Sequence, residues 1–147
     1  MDEEKFTESL GTQINLVARS MRTALERELA IHGVTPSQWM LLMALGQKDH
    51  QGQTGLGRMV NLDNATITRC LDKLQDMELI VRRQDKDDRR AQKVSLTPKG
   101  HRAYSEWNAI GKKINDNAAG KLSQHERKIL LDSLGVIIQN LNQVYPD

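Results

Sequence analysis

QTGLGRMVNLDNATITRCLDKLQDMELIVRRQDKDDRRAQKVSLT, running from Gln53 to Thr97, decides how the rest of the chain is read. Its spacing predicts a short helix, a turn, a longer helix, and two strands joined by a charged turn. In the longer helix Asp63 is the expected N-cap, its carboxylate set to accept from the unpaired N–H groups of the first turn. Ile67, Leu71 and Leu74 follow at steps of four and three, with Cys70 beside them, so one face is apolar. The other face carries Asn64, Thr66, Thr68 and Arg69, with Lys73 one turn further on. Small hydrogen-bonding groups and cations near a helix N-terminus are what a recognition helix uses on base edges in a major groove.

Gln53–Val60 supplies the shorter helix, with Leu56, Met59 and Val60 expected inward, and Asn61-Leu62 the turn. After Leu79 the apolar period changes from 3.6 to 2. Ile80 opens one strand and Lys93–Leu96 closes its partner. Between them Asp85–Arg90 is too charged for a core and fits an exposed hairpin tip. A helix-turn-helix followed by a β-hairpin is a winged helix; the alternative is a small α/β domain whose hairpin only caps a core.

These residues resemble the MarR family of winged-helix regulators. The family's wing signature is Asp, any residue, Arg, five residues, then Leu-Thr; it stands here at Asp88, Arg90 and Leu96-Thr97. The recognition-helix pattern stands as Thr66–Arg69 followed by Leu71–Leu74. Glu78-Leu79-Ile80-Val81-Arg82 matches the next element, with Glu78 where the family prefers Gly. The resemblance spans the whole chain in length and order of elements. It implies a mainly α protein with a small β-hairpin wing: a winged helix-turn-helix over 34–97, and dimerisation helices over 1–33 and 98–147. It further implies a homodimeric, sequence-specific transcription regulator, expected to be a repressor of pseudo-palindromic operators in double-stranded DNA, relieved by small aromatic ligands. Arg90 is expected to lead the wing into the minor groove, with Arg89 and Lys86 near phosphates and Asp88 pairing the Arg90 guanidinium. The other role open to Arg90 is to brace the hairpin. Two further functions stay open: an architectural nucleic-acid-binding winged helix without an effector, and a protein-interaction module whose basic hairpin meets an acidic partner.

The charge distribution agrees with a nucleic-acid partner. Residues 53–102 hold 11 Lys/Arg against 7 Asp/Glu, a local +4, whereas the whole chain is only +2. Residues 1–33 hold 4 against 6, and 103–147 hold 5 against 5. Positive charge therefore concentrates on the proposed reading unit.

Outside that unit, residues 5–31 read as one long helix with a stripe at Phe6, Leu10, Ile14, Val17, Met21, Leu25 and Leu29, ended by Gly33. Thr35, Pro36 and Gln38 form a capping box for the next helix, and Lys48–Gly52 is a polar linker. Thr97-Pro98 starts a helix to about Gly120, and Ser123 with Glu126 caps a last one. There Leu130, Leu134, Ile137, Leu141 and Val144 make a seven-residue repeat suited to a helix–helix seam. Two sticky chain ends point to a dimer; an intramolecular bundle is the alternative. For an anionic aromatic effector the candidates are Trp39 and Met43, one helical turn apart, with Arg19 and His32 for charge. Trp39 is otherwise a core residue.

Enzyme chemistry has no carrier here. His32, His50, His101 and His125 share no metal-ligand spacing, so neither metal nor cofactor is expected. There is no phosphate loop, nucleophile elbow or apolar pocket with paired carboxylates. Asp85, Asp87 and Asp88 lack the Gly and distal Glu of a calcium loop. Cys70 is the one cysteine, too few for an internal disulfide. Peroxide-sensing members of the family carry their cysteine near the start of the first helix, where this chain has none; Cys70, on or beside the apolar face of its helix, reads as packing, with redox sensing the alternative. The acidic start MDEEKFTES has no apolar signal region, no run reaches membrane length, and a cytoplasmic setting is expected.

Overall fold

The computed structural model describes residues 6–49 and 51–146. His50 and the acidic segment 1–5 lie outside them. The order is α1 (Leu10–Leu29), α2 (Pro36–Gln47), β1 (Gln51–Gly52), α3 (Gln53–Val60), α4 (Asn64–Asp76), β2 (Ile80–Gln84), β3 (Gln92–Leu96), α5 (Pro98–Ala118) and α6 (Gln124–Val144). The chain is thus mainly helical, with a small antiparallel sheet ordered β1-β3-β2.

Local chemistry sets these boundaries. The helix expected over 5–31 begins only at Leu10, because Ser9 caps it: the Ser9 hydroxyl accepts from the Thr12 N–H at 3.2 Å. It tightens to a 3₁₀ turn at Ala30–His32, and Gly33 ends it with φ +67°. The Thr35/Gln38 capping box closes in both directions, with Pro36 at the first helical position. Lys48–Gly52 is not all linker. Gln51 and Gly52 pair with Val94 and Lys93 as a third strand, too short to leave a period-2 signal in sequence.

The core gathers around α4. Ile67, Leu71 and Leu74 are fully buried against Leu41, Leu42 and Leu45 of α2, Leu56 of α3, and Ile80 and Val94 of the hairpin. Met59 departs from its expected inward place and stays 50% exposed, because the eight-residue α3 buries only Leu56.

Helix α4 ends in a Schellman motif. The Leu79 N–H donates to the Leu74 carbonyl at 3.0 Å and the Glu78 N–H to Gln75 at 2.8 Å, which requires φ +60° at Glu78. This is the position where the resembled family prefers Gly, and Glu78 occupies the left-handed region without that freedom. Neighbouring contacts hold it there. The Thr97 hydroxyl donates to the Glu78 carbonyl at 2.6 Å, the Lys99 ammonium to the Met77 carbonyl at 2.8 Å, and the Thr97 N–H to Leu79 at 3.1 Å. The start of α5 crosses so close that a Cβ on Gly100 would lie 2.0 Å from the Leu79 carbonyl oxygen.

The chain divides into two compact units after Ile114. Within the second, Ser123 and Glu126 form the expected capping box for α6. Arg127 donates to the Ala119 carbonyl at 3.2 Å and pairs with Asp116 at 3.5 Å. Apolar side chains stay open on the long terminal helices, including Leu10, Leu16 and Val17 on α1 and Leu131, Ile138 and Val144 on α6.

Two substitutions test this turn. Gly100→Ala should cost at least about 2 kcal/mol, since a backbone carbonyl rather than a flexible side chain must yield. Glu78→Gly should be stabilising by up to about 1 kcal/mol, left-handed strain relieved being partly offset by unfolded-chain entropy. Urea unfolding of the three proteins measures both.

Candidate nucleic-acid interface

Helix α4 presents its polar face because its apolar one is spent on the core. At ~100° per residue, the middle of the exposed side runs through Ala65, Arg69, Asp72 and Asp76, flanked by Asn64 and Thr68 on one edge and Thr66 and Lys73 on the other. The N-terminal half of that face is built by short-range bonds. Asp63 accepts from the Thr66 N–H at 2.8 Å and from the Thr66 hydroxyl at 2.8 Å. These two bonds, the backbone one first, hold the Asp63 carboxyl below its ordinary value. The Thr66 oxygen in turn accepts from the Arg69 guanidinium at 3.3 Å. Asp63 thus fixes Thr66, and Thr66 steers Arg69.

Thr68 is fixed from the other side. Its hydroxyl donates to the Asn64 carbonyl and accepts from the Gln53 amide, both at 2.9 Å. Gln53, the first residue of α3, therefore belongs to this surface. Sequence reading missed it because the contact depends on how α3 crosses α4. Ala65 was missed too, since an apolar residue in a polar stripe carries no signal of its own.

The hairpin tip is also a built structure. The Asp85 carboxylate accepts from the Asp87 N–H at 2.8 Å and pairs with Lys93 at 3.2 Å, and both interactions lower its pKa, the backbone bond more. The Gln84 amide donates to the Arg89 carbonyl at 2.6 Å. Asp88 contacts Arg90 through the main chain: its Oδ1 accepts the Arg90 N–H at 2.9 Å. In place of the expected side-chain pair with the Arg90 guanidinium, the Asp88 carboxylate shapes the turn through the main chain. Lys86, Arg89 and Arg90 are exposed along the tip. Exposed Arg83 faces Lys93 across the strands and adds to the same basic edge.

The wing is braced to α4 by Arg82. Its Nη2 donates to Asp72 Oδ1 at 2.5 Å and its Nε to Gln75 Oε1 at 2.7 Å. Cys70 lies on the buried side of α4, and burial pushes its thiol pKa up against the opposing charge of Arg69. A thiol kept protonated is a poor nucleophile, which suits packing.

The effector candidates are spread more widely. Trp39 Nε1 donates to the Trp107 carbonyl at 3.1 Å, and its ring lies so near Gly111 that a Cβ there would be 2.8 Å from Cζ2. His32 stacks at a tilt on Trp107, with ring centroids 5.5 Å apart, and its Nδ1 lies 4.0 Å from Glu106. Met43 is partly buried against the core. Arg19 stands apart on α1, thirteen residues or roughly 20 Å up the chain from His32. Among the described residues no group of three or more His, Cys, Asp or Glu side chains could hold a metal ion, and no helix is long and apolar enough to cross a membrane.

A model of the MarR family matches residues 34–91. The HTH-type transcriptional regulator SarZ of Staphylococcus haemolyticus is 30% identical over 109 residues, covering 74% of this chain and 73% of that one. Among solved structures, a putative MarR family transcriptional regulator from Listeria monocytogenes, complexed with 26mer DNA, superposes with a TM-score of 0.84 at 20% identity. It covers 92% of this chain and 90% of that one. BpsR of Bordetella bronchiseptica, whose DNA binding is regulated by 6-hydroxynicotinic acid, superposes with a TM-score of 0.84 at 21% identity, covering 92% and 96%. At these identities the two structures speak for a shared winged-helix fold.

The lowered carboxyls give a pH test. A group whose folded pKa lies below its unfolded one adds stability above its ordinary value, 3.8 for Asp63 and Asp85, and loses it as pH falls through the folded value. Asn caps a helix as well as Asp but does not titrate. Asp63→Asn keeps the cap but loses the second acceptor and the charge, so it should melt somewhat below the wild type near neutrality, with the gap closing below about pH 4. Thermal melts across that range check it.

Proposed function

The chain belongs to the MarR family, and we propose that it acts as a homodimeric repressor of pseudo-palindromic operators, relieved by a small aromatic anion. It is a DNA-binding transcriptional regulator of that family. The observation that carries the finer reading is the joint presentation of the α4 polar face and a basic hairpin braced to it, as one rigid reading surface. In this reading Arg69 takes a guanine edge or a phosphate, and Asn64 and Thr68 serve bases. Thr66 positions Arg69, and Lys73, Lys86 and Arg89 meet phosphates. Arg90 enters the minor groove from the turn that Asp88 shapes. The chain works by binding, in the cytoplasm, and catalyses nothing.

Residues 34–97 form the reading unit in this proposal, and residues 1–33 and 98–147 the dimerisation helices. The open apolar side chains of α1 and α6 support that division, since a helix stripe this exposed is covered by another surface. Two-fold pairing would set the recognition helices about one helical turn of DNA, ~34 Å, apart.

The effector reading draws on Trp39, Met43 and His32, an apolar wall with one group able to take positive charge. The regulated neighbour BpsR supports the class, because 6-hydroxynicotinic acid is an aromatic acid. Arg19 is too far along α1 to serve the same molecule within one chain, and would do so only across a dimer. The ligand acts by preferring a dimer whose helix spacing no longer matches successive major grooves, and so weakens binding by its differential affinity alone.

The direct test is selection of duplexes from a random pool, followed by titration of the winning sequence. A single inverted repeat should emerge; a pool that stays random overturns sequence-specific regulation and leaves the architectural reading. Arg69→Ala should then cost about 1–3 kcal/mol and relax one position, and Arg90→Ala should weaken A·T-flanked sites most.

Charged residues at Leu134 and Leu141 should abolish dimerisation in sedimentation velocity together with specific binding. Salicylate or 6-hydroxynicotinate should shift both Trp fluorescence and operator affinity. If neither compound does so, and Trp39→Phe changes nothing, the protein is constitutive.

A further inference from the structure

Asp72 is an acidic side chain on the outermost line of the recognition helix, in the row that also holds Ala65 and Arg69. A bare carboxylate there faces the phosphates of any duplex that α4 enters, and like charges repel. Its side chain is 55% exposed, whereas the Arg82 side chain beside it is only 20% exposed. The guanidinium is thus tucked against α4 with two of its donors engaged: Nη2 on Asp72 at 2.5 Å and Nε on Gln75 at 2.7 Å, one helical turn apart. The Arg82 backbone meanwhile sits in register with Val94 in the hairpin. Exposed ion pairs add little to stability, so stability alone is a weak reason for this arrangement.

We infer that Arg82 and Asp72 form a charge mask that sets sequence discrimination. Arg82 cancels the acidic group nearest Arg69 on the outermost line of α4, where Asp76 lies a further turn along, and Asp72 keeps Arg82 from serving as one more indiscriminate phosphate cation. Arg82 is a positioning residue and touches no DNA. Of the other acidic groups near the N-terminal half of α4 and the tip, Asp63 is committed to the helix cap, Asp85 to Lys93, and Asp88 to the Arg90 main chain, while exposed Asp76 lies one turn beyond Asp72 and exposed Asp87 on the tip. The cations left to meet phosphates are then Arg69, Lys73, Arg83, Lys86, Arg89 and Arg90. Affinity for random duplex depends on how many cations reach phosphates, and specificity on how few do so without reading bases. Removing either half of the pair changes that balance in a direction the other half reverses.

The inference rests on the DNA-reading role proposed above, and the test separates the two. Wild type, Arg82→Met, Asp72→Asn and the double variant are titrated against the selected operator and a random duplex at several salt concentrations, with melting temperature followed in parallel. Arg82→Met should lose at least tenfold in operator affinity with the salt slope kept. The double variant should recover most of that loss. Asp72→Asn alone should bind random duplex several-fold tighter and lower the operator-to-random ratio. Failure of the wild type to bind any duplex overturns the DNA reading itself. If the wild type binds but Arg82→Met lowers the salt slope by about one contact without rescue by Asp72→Asn, Arg82 is a phosphate clamp and the mask is wrong. Loss of affinity that only follows melting temperature in all three variants makes the pair a structural brace and also overturns it.

Discussion

Burial of Ile67, Leu71 and Leu74 fixes the rotation of α4, and every other property of the reading surface follows from that rotation. Truncating one such fully buried side chain costs about 2–5 kcal/mol, several times a surface hydrogen bond or an exposed ion pair. Turning the helix to bury any other face would bring Arg69, Asp72 or Lys73 into a core of aliphatic side chains. Packing therefore decides which residues face outward, and the polar contacts only refine where they point. The same core ties the hairpin to the helix through Ile80 and Val94, so the wing inherits its position from the residues that orient α4.

On that frame the short-range chemistry is economical. Asp63 does two jobs with one carboxylate, capping the helix and fixing the hydroxyl that steers Arg69. Thr68 is held between Asn64 and Gln53, and the hairpin tip is tied by Asp85, Asp88 and Gln84. These bonds pre-order side chains that a ligand would otherwise have to order, which lowers the entropic cost of binding. The strained turn at Glu78 belongs to the same scheme. It bends the chain tightly enough for β2 to return along α4 and for α5 to cross at Gly100.

The winged helix was legible because its signals are local: Asp63 as a cap, the 3.6-residue apolar period of α4, the change to a period of two at Ile80, and a charged tip between strands. The capping boxes at Thr35 and Ser123 stand where their residue patterns put them. What stayed hidden depends on contacts between distant segments. The strand at Gln51–Gly52 exists only because β3 lies beside it, and the Gln53–Thr68 and Arg82–Asp72 links join residues 15 and 10 apart. Met59 misled because a short amphipathic helix can leave an apolar residue outside. For Asp88 a side-chain pair with Arg90 was expected and a main-chain bond is found, because the two look alike in sequence. Arg82 and Asp72 cancel within the local charge count, but that they meet was not legible because they sit on different elements.

In the proposed complex α4 reads the major groove while the wing tip enters the adjacent minor groove. Dimethyl sulfate footprinting probes both at once, because it methylates guanine N7 in the major groove and adenine N3 in the minor groove. On the selected operator two blocks of guanine N7 protection are expected about 10 base pairs apart, each flanked on its outer side by adenine N3 protection. Tight binding that leaves both atoms reactive, or protects adenine N3 alone, would contradict it.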